Sequence, residues 1–160
     1  MVQVQPGVDQ PWSAGREARA RVAGMLGDPE VAARLLTGGA RVLVVPKDEA
    51  MTSLDAFRHL RDKPISESDR RLWNTVRGGG EQQTAITEEN LLGETTSVPG
   101  ATSYVEGYST TTHEVAHAIH LYGLTDADRA TITAAYNAKR YPPGIRRRPR
   151  WSGRTVSAPL

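Results

Sequence analysis

His113-Glu114-Val115-Ala116-His117 is the stretch on which the reading of this chain turns. On an α-helix, residues four apart stack one turn above each other on the same face. His113 and His117 can therefore direct both imidazoles at one metal ion, with nitrogen–metal distances of about 2.0–2.1 Å if that ion is zinc. Glu114 is rotated by about 100° from His113, which sets its carboxylate beside the ion rather than on it. From there it can act as general base toward a water that the ion acidifies. The flanking Val115, Ala116, Ala118, Ile119 and Leu121 are apolar, as expected of a helix buried except along its metal face. A chance pair of histidines on a solvated helix is the plainer alternative, and the apolar flanks weigh against it.

Working outward, the helical pattern runs from Tyr108 to Tyr122, and Gly123 sits where a C-cap glycine belongs. Thr125-Asp126-Ala127-Asp128 has the form of a capping box and predicts a last helix to about Arg140. His120 lies seven residues beyond His113, about 10 Å along the axis. That is too far to share a tetrahedral ion, so His120 is expected to stand at the helix end, behind the ligands. A catalytic zinc takes three protein ligands and leaves one position open. No Glu follows Glu114, so the third ligand is either Asp126, which fits better as a helix cap, or a residue not present here. Glu88, Glu89, Glu94 and Glu106 lie upstream with nothing in the pattern to bring them to the metal. Tyr136, on the last helix, is expected to pack rather than to face the reaction.

Upstream, residues 1–14 have no periodicity and are expected to be a disordered leader. A helix is predicted from Gly15 to about Leu26, and a second from Pro29 to Leu36 with Asp28 as N-cap. Ala40-Arg41-Val42-Leu43-Val44-Val45 is the clearest strand, and its apolar run suggests cover on both faces. Leu54, Phe57 and Leu60 suggest a short helix or turn, with Trp73 and Val76 as anchors in the polar stretch that follows. Gly78-Gly79-Gly80 reads as a flexible loop, lacking the Lys and Ser/Thr of a phosphate cradle. Gln83–Thr87 reads as a strand leading into Glu88-Glu89-Asn90-Leu91-Leu92.

The 160 residues amount to one domain, with 38% hydrophobic content. The absence of cysteine rules out disulfides and thiolate ligands, leaving His, Asp and Glu to hold any metal. No apolar run approaches the roughly 18 residues of a membrane span. Met1-Val2-Gln3-Val4 lacks a secretory signal's pattern, so the expectation is a cytoplasmic product unless the N-terminus is incomplete. The net charge of +2 conceals an asymmetry: eight of the 20 Lys and Arg lie beyond Asp128, the last acid, leaving 12 basic against 18 acidic groups before it. The pI of 9.1 thus belongs to the end of the chain and is poor grounds for nucleic-acid binding. Residues 141–160, with five Arg, four Pro and no acid, form a basic tail. It is either natural and solvated, or the product of a reading frame that ends or shifts after about Arg140.

The His-Glu-x-x-His pattern resembles that of the zincin metallopeptidases. Val105-Glu106-Gly107-Tyr108 running into His113–His120 resembles, in particular, the zinc region of anthrax lethal factor-like metallopeptidase domains. Glu88-Glu89-Asn90-Leu91-Leu92 and the loop from Trp73 to Gly80 add to the likeness, which spans roughly residues 40–138. The resemblance implies an α+β, zincin-like domain over residues 15–140, with a small sheet packed against the zinc helix and a helix following it. It implies Zn²⁺ on His113 and His117, Glu114 as base, and a peptide or protein substrate hydrolysed by a monomer. In that family the third ligand is a Glu of a C-terminal segment, and no stretch here matches it. The alternative is a non-catalytic or truncated zincin-like domain with an incomplete zinc shell, acting as a binding module.

Overall fold

The computed structural model describes residues 1–103 and 109–140, and the chain falls into two compact units, Met1–Gly123 and Leu124–Leu160. In the first, β1 (Val2–Val4), α1 (Pro11–Met25) and α2 (Pro29–Thr37) lead to β2 (Arg41–Val45). Three short 3₁₀ turns follow, at Met51–Ser53, Asp55–Leu60 and Trp73–Thr75. Then come β3 (Gly78–Gly80), β4 (Gln83–Thr87), α3 (Glu88–Leu92) and α4 (Thr110–Ala118). The strands form one sheet in the order β1-β2-β4-β3. β1 and β4 flank β2 in parallel, and β3 closes the far edge antiparallel to β4.

Side chains alternate across a strand, and β2 uses both faces. Val42 and Val44 join Ala14 and Ala18 of α1, Ile86 of β4, Leu91 of α3 and Val115 of α4 in one buried cluster. Val45 turns the other way, onto Ala85, Met51 and Phe57, with Trp73 and Val76 packed against them. Each fully buried Val or Ile contributes about 1.5–3 kcal/mol. The expected α+β arrangement, a small sheet against the helix that carries His113 and His117, is the one the chain adopts. Asp28 caps α2 as expected, its carboxylate accepting from the amides of Glu30 and Val31.

Three expectations are corrected. Residues 1–14 are not a disordered leader: Val2–Val4 pair with Val42–Val44, and Pro11 opens α1 where its missing N–H is no loss. A three-residue strand is too short to show alternation. The cap of α1 is a remote carboxylate, Glu88, which accepts from the amides of Asp9 (3.2 Å) and Gln10 (2.7 Å). Gly78-Gly79-Gly80 is a strand rather than a loop. Gly123 is no left-handed C-cap, since it is not among the glycines of positive φ. The α-helix ends at Ala118 and widens into a π turn, Ile119–Gly123. Gly123 is there because a Cβ would stand 2.9 Å from Val31 Cγ1 and 3.3 Å from Leu35 Cγ. Arg34 of α2 donates to its carbonyl at 2.6 Å, satisfying an acceptor that a helix end would otherwise leave bare.

The second unit contains α5 (Asp126–Arg140). Its capping box forms as expected: the Asp128 amide donates to Thr125 Oγ1 (3.2 Å) and the Thr125 amide to Asp128 (2.9 Å). The basic tail and residues 104–108, including Glu106, lie outside the described residues. Among the described residues, no helix is long and apolar enough to cross a membrane. Gly123→Ala is expected to lower stability by about 1–3 kcal/mol through overpacking against α2, measured by urea denaturation.

Candidate metal centre

The site is built on α4. Ser109 caps the helix, its hydroxyl accepting from the Thr112 amide at 3.2 Å. This offsets the weak helix propensity of the β-branched run Thr110-Thr111-Thr112. Thr111, Val115 and Ala118 form the buried face. Thr110, Glu114 and His117 share another stripe at helical spacing, with His113 beside them.

The imidazoles of His113 and His117 meet edge to face, 4.8 Å between centroids and 81° between planes. Their Nε2 atoms lie 3.1 Å apart. Two nitrogens bound to one tetrahedral zinc would lie about 3.3 Å apart, given bonds of about 2.0–2.1 Å, so the pair fits such an ion. His113, Glu114 and His117 together offer three ligand atoms within 4.8 Å of one another. Burial, with the neighbouring His113 and His120, lowers the pKa of His117. That favours the neutral imidazole a metal requires.

Glu114 is half-buried, and the glycine strand is the reason. Gly78 and Gly80 face α4 from the same side of β3. A Cβ on Gly78 would sit 3.0 Å from Glu114 Oε1 and 2.5 Å from Thr110 Cγ2. On Gly80 it would sit 2.9 Å from Glu114 Oε2, 2.7 Å from His117 Cβ and 2.5 Å from the Glu114 main-chain oxygen. The carboxylate thus lies over bare main chain where any side chain would exclude it. Burial pushes its pKa up to about 7.

Among the described residues, the other carboxylates of the first unit that the sequence offered are engaged elsewhere, and those of the second unit are engaged within it. Glu89 is ion-paired with Arg77 in the interior, Glu88 caps α1, and Glu94 pairs with Lys47 at 2.8 Å. Asp126 pairs with Arg129 at 2.5 Å within α5, and Tyr136 is exposed on the same helix. His120 stands in the π turn and is exposed. What the sequence did not disclose is the part played by Gly78, Gly80 and Arg77. Three successive glycines carry no periodicity, and no spacing rule points from Arg77 to its partner Glu89, twelve residues on, rather than to Glu81, four residues on.

No family model matches the sequence, and no curated protein matches it either. Among solved structures, the chain is similar to the Pro-Pro endopeptidase PPEP-2 from Paenibacillus alvei. The TM-score is 0.54 and the identity 19%, over 89% of this chain and 73% of that one. The chain shares that enzyme's fold. The sheet and the His113–His117 helix described above are the elements the expectation of a zincin-like fold required.

Gly80→Ala is expected to cost about 1–3 kcal/mol or more, because its new Cβ meets main chain that cannot rotate away. Thermal denaturation, with the His117 imidazole resonances as a local report, checks it. A second expectation concerns the metal-free protein. A carboxyl with a folded pKa of about 7, against an ordinary value of 4.5, holds more protons folded than unfolded between those limits. Stability therefore falls as pH rises through that window. Glu114→Gln removes the effect: its melting temperature should match the parent near pH 4 and exceed it at pH 8.

Proposed function

We propose that this chain is a zinc-dependent peptidase in which His113 and His117 hold the metal and Glu114 is the general base. The observation that carries the reading is the convergence of two imidazole nitrogens 3.1 Å apart next to a carboxylate kept out of bulk water. The donor set of nitrogen and oxygen without sulfur suits zinc among the common catalytic metals. When bound, zinc supplies a Lewis acid and a water of lowered pKa. Glu114 accepts a proton from the attacking water at its carboxylate and returns it to the leaving amine. The burial that raises its pKa makes it a stronger base than a surface carboxylate. The shared fold with a Pro-Pro endopeptidase supports a peptide as substrate and makes peptides with and without a Pro-Pro pair the first panel to try.

A second reading, a metal-binding module without hydrolysis, is favoured by one observation. Among the described residues, the cluster at the metal holds no acid beyond Glu114, and Glu88, Glu89 and Glu94 are engaged elsewhere.

The two separate cleanly. The peptidase is expected to bind one zinc per chain, with three protein ligands by X-ray absorption. It should lose the metal in His113→Ala and His117→Ala. Glu114→Gln should keep the metal and lose at least about 10²-fold in kcat. Stoichiometric zinc with two protein ligands and no cleavage of a broad peptide library would support the binding module, and absence of zinc after reconstitution would rule out both.

A further inference from the structure

We propose that Arg77 and Glu89 are positioning residues for the metal helix: their buried ion pair fixes β3, and through Gly78 and Gly80 sets where the Glu114 carboxylate stands relative to His113 and His117. Only the last step, the effect on metal and turnover, rests on the functional reading above.

The two side chains are fully enclosed. Arg77 donates to Glu89 through Nε at 2.7 Å and Nη2 at 3.2 Å. Nη1 and Nη2 also donate to the main-chain oxygens of Glu49 (2.5 Å) and Pro46 (3.0 Å), respectively. Its own carbonyl is gripped as well, accepting from Asn90 Nδ2 at 3.2 Å. Thr87 Oγ1 gives its one proton to Glu89 Oε1 at 2.8 Å and accepts from Asn90 Nδ2 at 2.6 Å. The residue before β3 is therefore held by side chain and main chain alike, to the loop after β2 and to the first turn of α3.

A buried ion pair is weak ground for stability, because apolar residues of the same volume often do as well. What such a pair can supply is a unique arrangement, and β3 needs one. Register along a strand is normally set by which side chains face the core, and glycine-rich strands are prone to slip. Gly78-Gly79-Gly80 has no side chain to be gripped, so its register must come from its ends. Arg77 supplies that at the N-terminal end, one residue before the glycine that touches Glu114 Oε1. The neighbouring carboxylate, Glu88, holds the start of α1, which also packs on α4. Two adjacent acids thus fix two of the surfaces against which α4 lies.

The test is the double variant Arg77→Met/Glu89→Leu, which removes both charges and keeps the volume. A purely structural role predicts that a variant with native melting temperature has a native site. Positioning predicts the opposite: a melting temperature within a few degrees of the parent, yet weakened nuclear Overhauser contacts from the Gly78 and Gly80 α-protons to the Thr110 methyl and the His117 β-protons in metal-free protein. Zinc affinity by chelator competition should fall toward the lower end of the roughly 10–100-fold seen when groups bonded directly to metal ligands are removed, with kcat lowered more than KM is raised. Native proton contacts in the folded double variant would overturn the proposal, whether or not the protein binds zinc. Where the double variant does not fold, Asn90→Ala removes the side-chain bond to the Arg77 carbonyl while leaving both charges of the ion pair in place. It should weaken the same contacts in the same direction, and unchanged contacts there would equally overturn it. Failure of the parent protein to take up zinc would count against the peptidase reading alone, since the proton contacts are read without metal.

Discussion

The structure depends on a close approach between a helix and a strand that has no side chains. α4 lies directly on Gly78-Gly79-Gly80, with both oxygens of Glu114 over the α-carbons of Gly78 and Gly80. Desolvation of the carboxyl follows from this contact. So does the placement of His117, whose β-carbon is itself packed against Gly80. With any larger residue at these two positions, the carboxylate would be driven toward water and the turn between Glu114 and His117 would have to move.

Holding a helix so close requires walls that do not yield. The sheet provides one through β2 and β4, buried on both faces and rich in β-branched residues, which suit a pleated surface packed on each side. α1 provides another, and it is tied down at several points. Glu88 caps its start, and Arg21 donates to the carbonyls of Asn90 and Leu91 at 3.5 and 3.3 Å and reaches Ser109, the cap of α4, at 3.5 Å. α2 grips the far end of α4 through Arg34 and the space left by Gly123. The polar groups that tie α1 and α2 to α4 come from those helices and α3, Arg77 does the same for the glycine strand, and the sheet itself supplies mainly apolar surface.

Much of this was legible in the sequence wherever the signal was local. The five residues from His113 to His117 announce their own geometry, because helical spacing alone brings the imidazoles together. The run Val42–Val45 announces a doubly covered strand, and Thr125 with Asp128 a helix start. What could not be read depends on residues far apart or on an absence of side chains. Glu88 caps a helix that begins nearly 80 residues earlier, and no spacing rule links the two. Val2–Val4 become a strand only because Val42–Val44 lie alongside. Gly78-Gly79-Gly80 has the composition of a flexible loop, and only the helix laid on it makes it a strand. The π turn after Ala118 is set by α2, so His120 is not where a straight helix would carry it.

The parallel ladders have a consequence for how the protein reaches its native state. Val2 pairs with Val42, and Val42 with Thr84, so each ladder closes a loop of about 40 residues, whereas β3 and β4 form a local hairpin with Gly78 opposite Ile86. Loop-closure entropy must be overcome before such distant pairings are rewarded, and chains dominated by them fold slowly. The glycine hairpin can form early, but the walls that press α4 onto it arrive only when the ends of the unit have met. The cluster of His113, Glu114 and His117 would thus be completed late in folding, and a chain caught before that point would present an unpaired β2 edge open to aggregation.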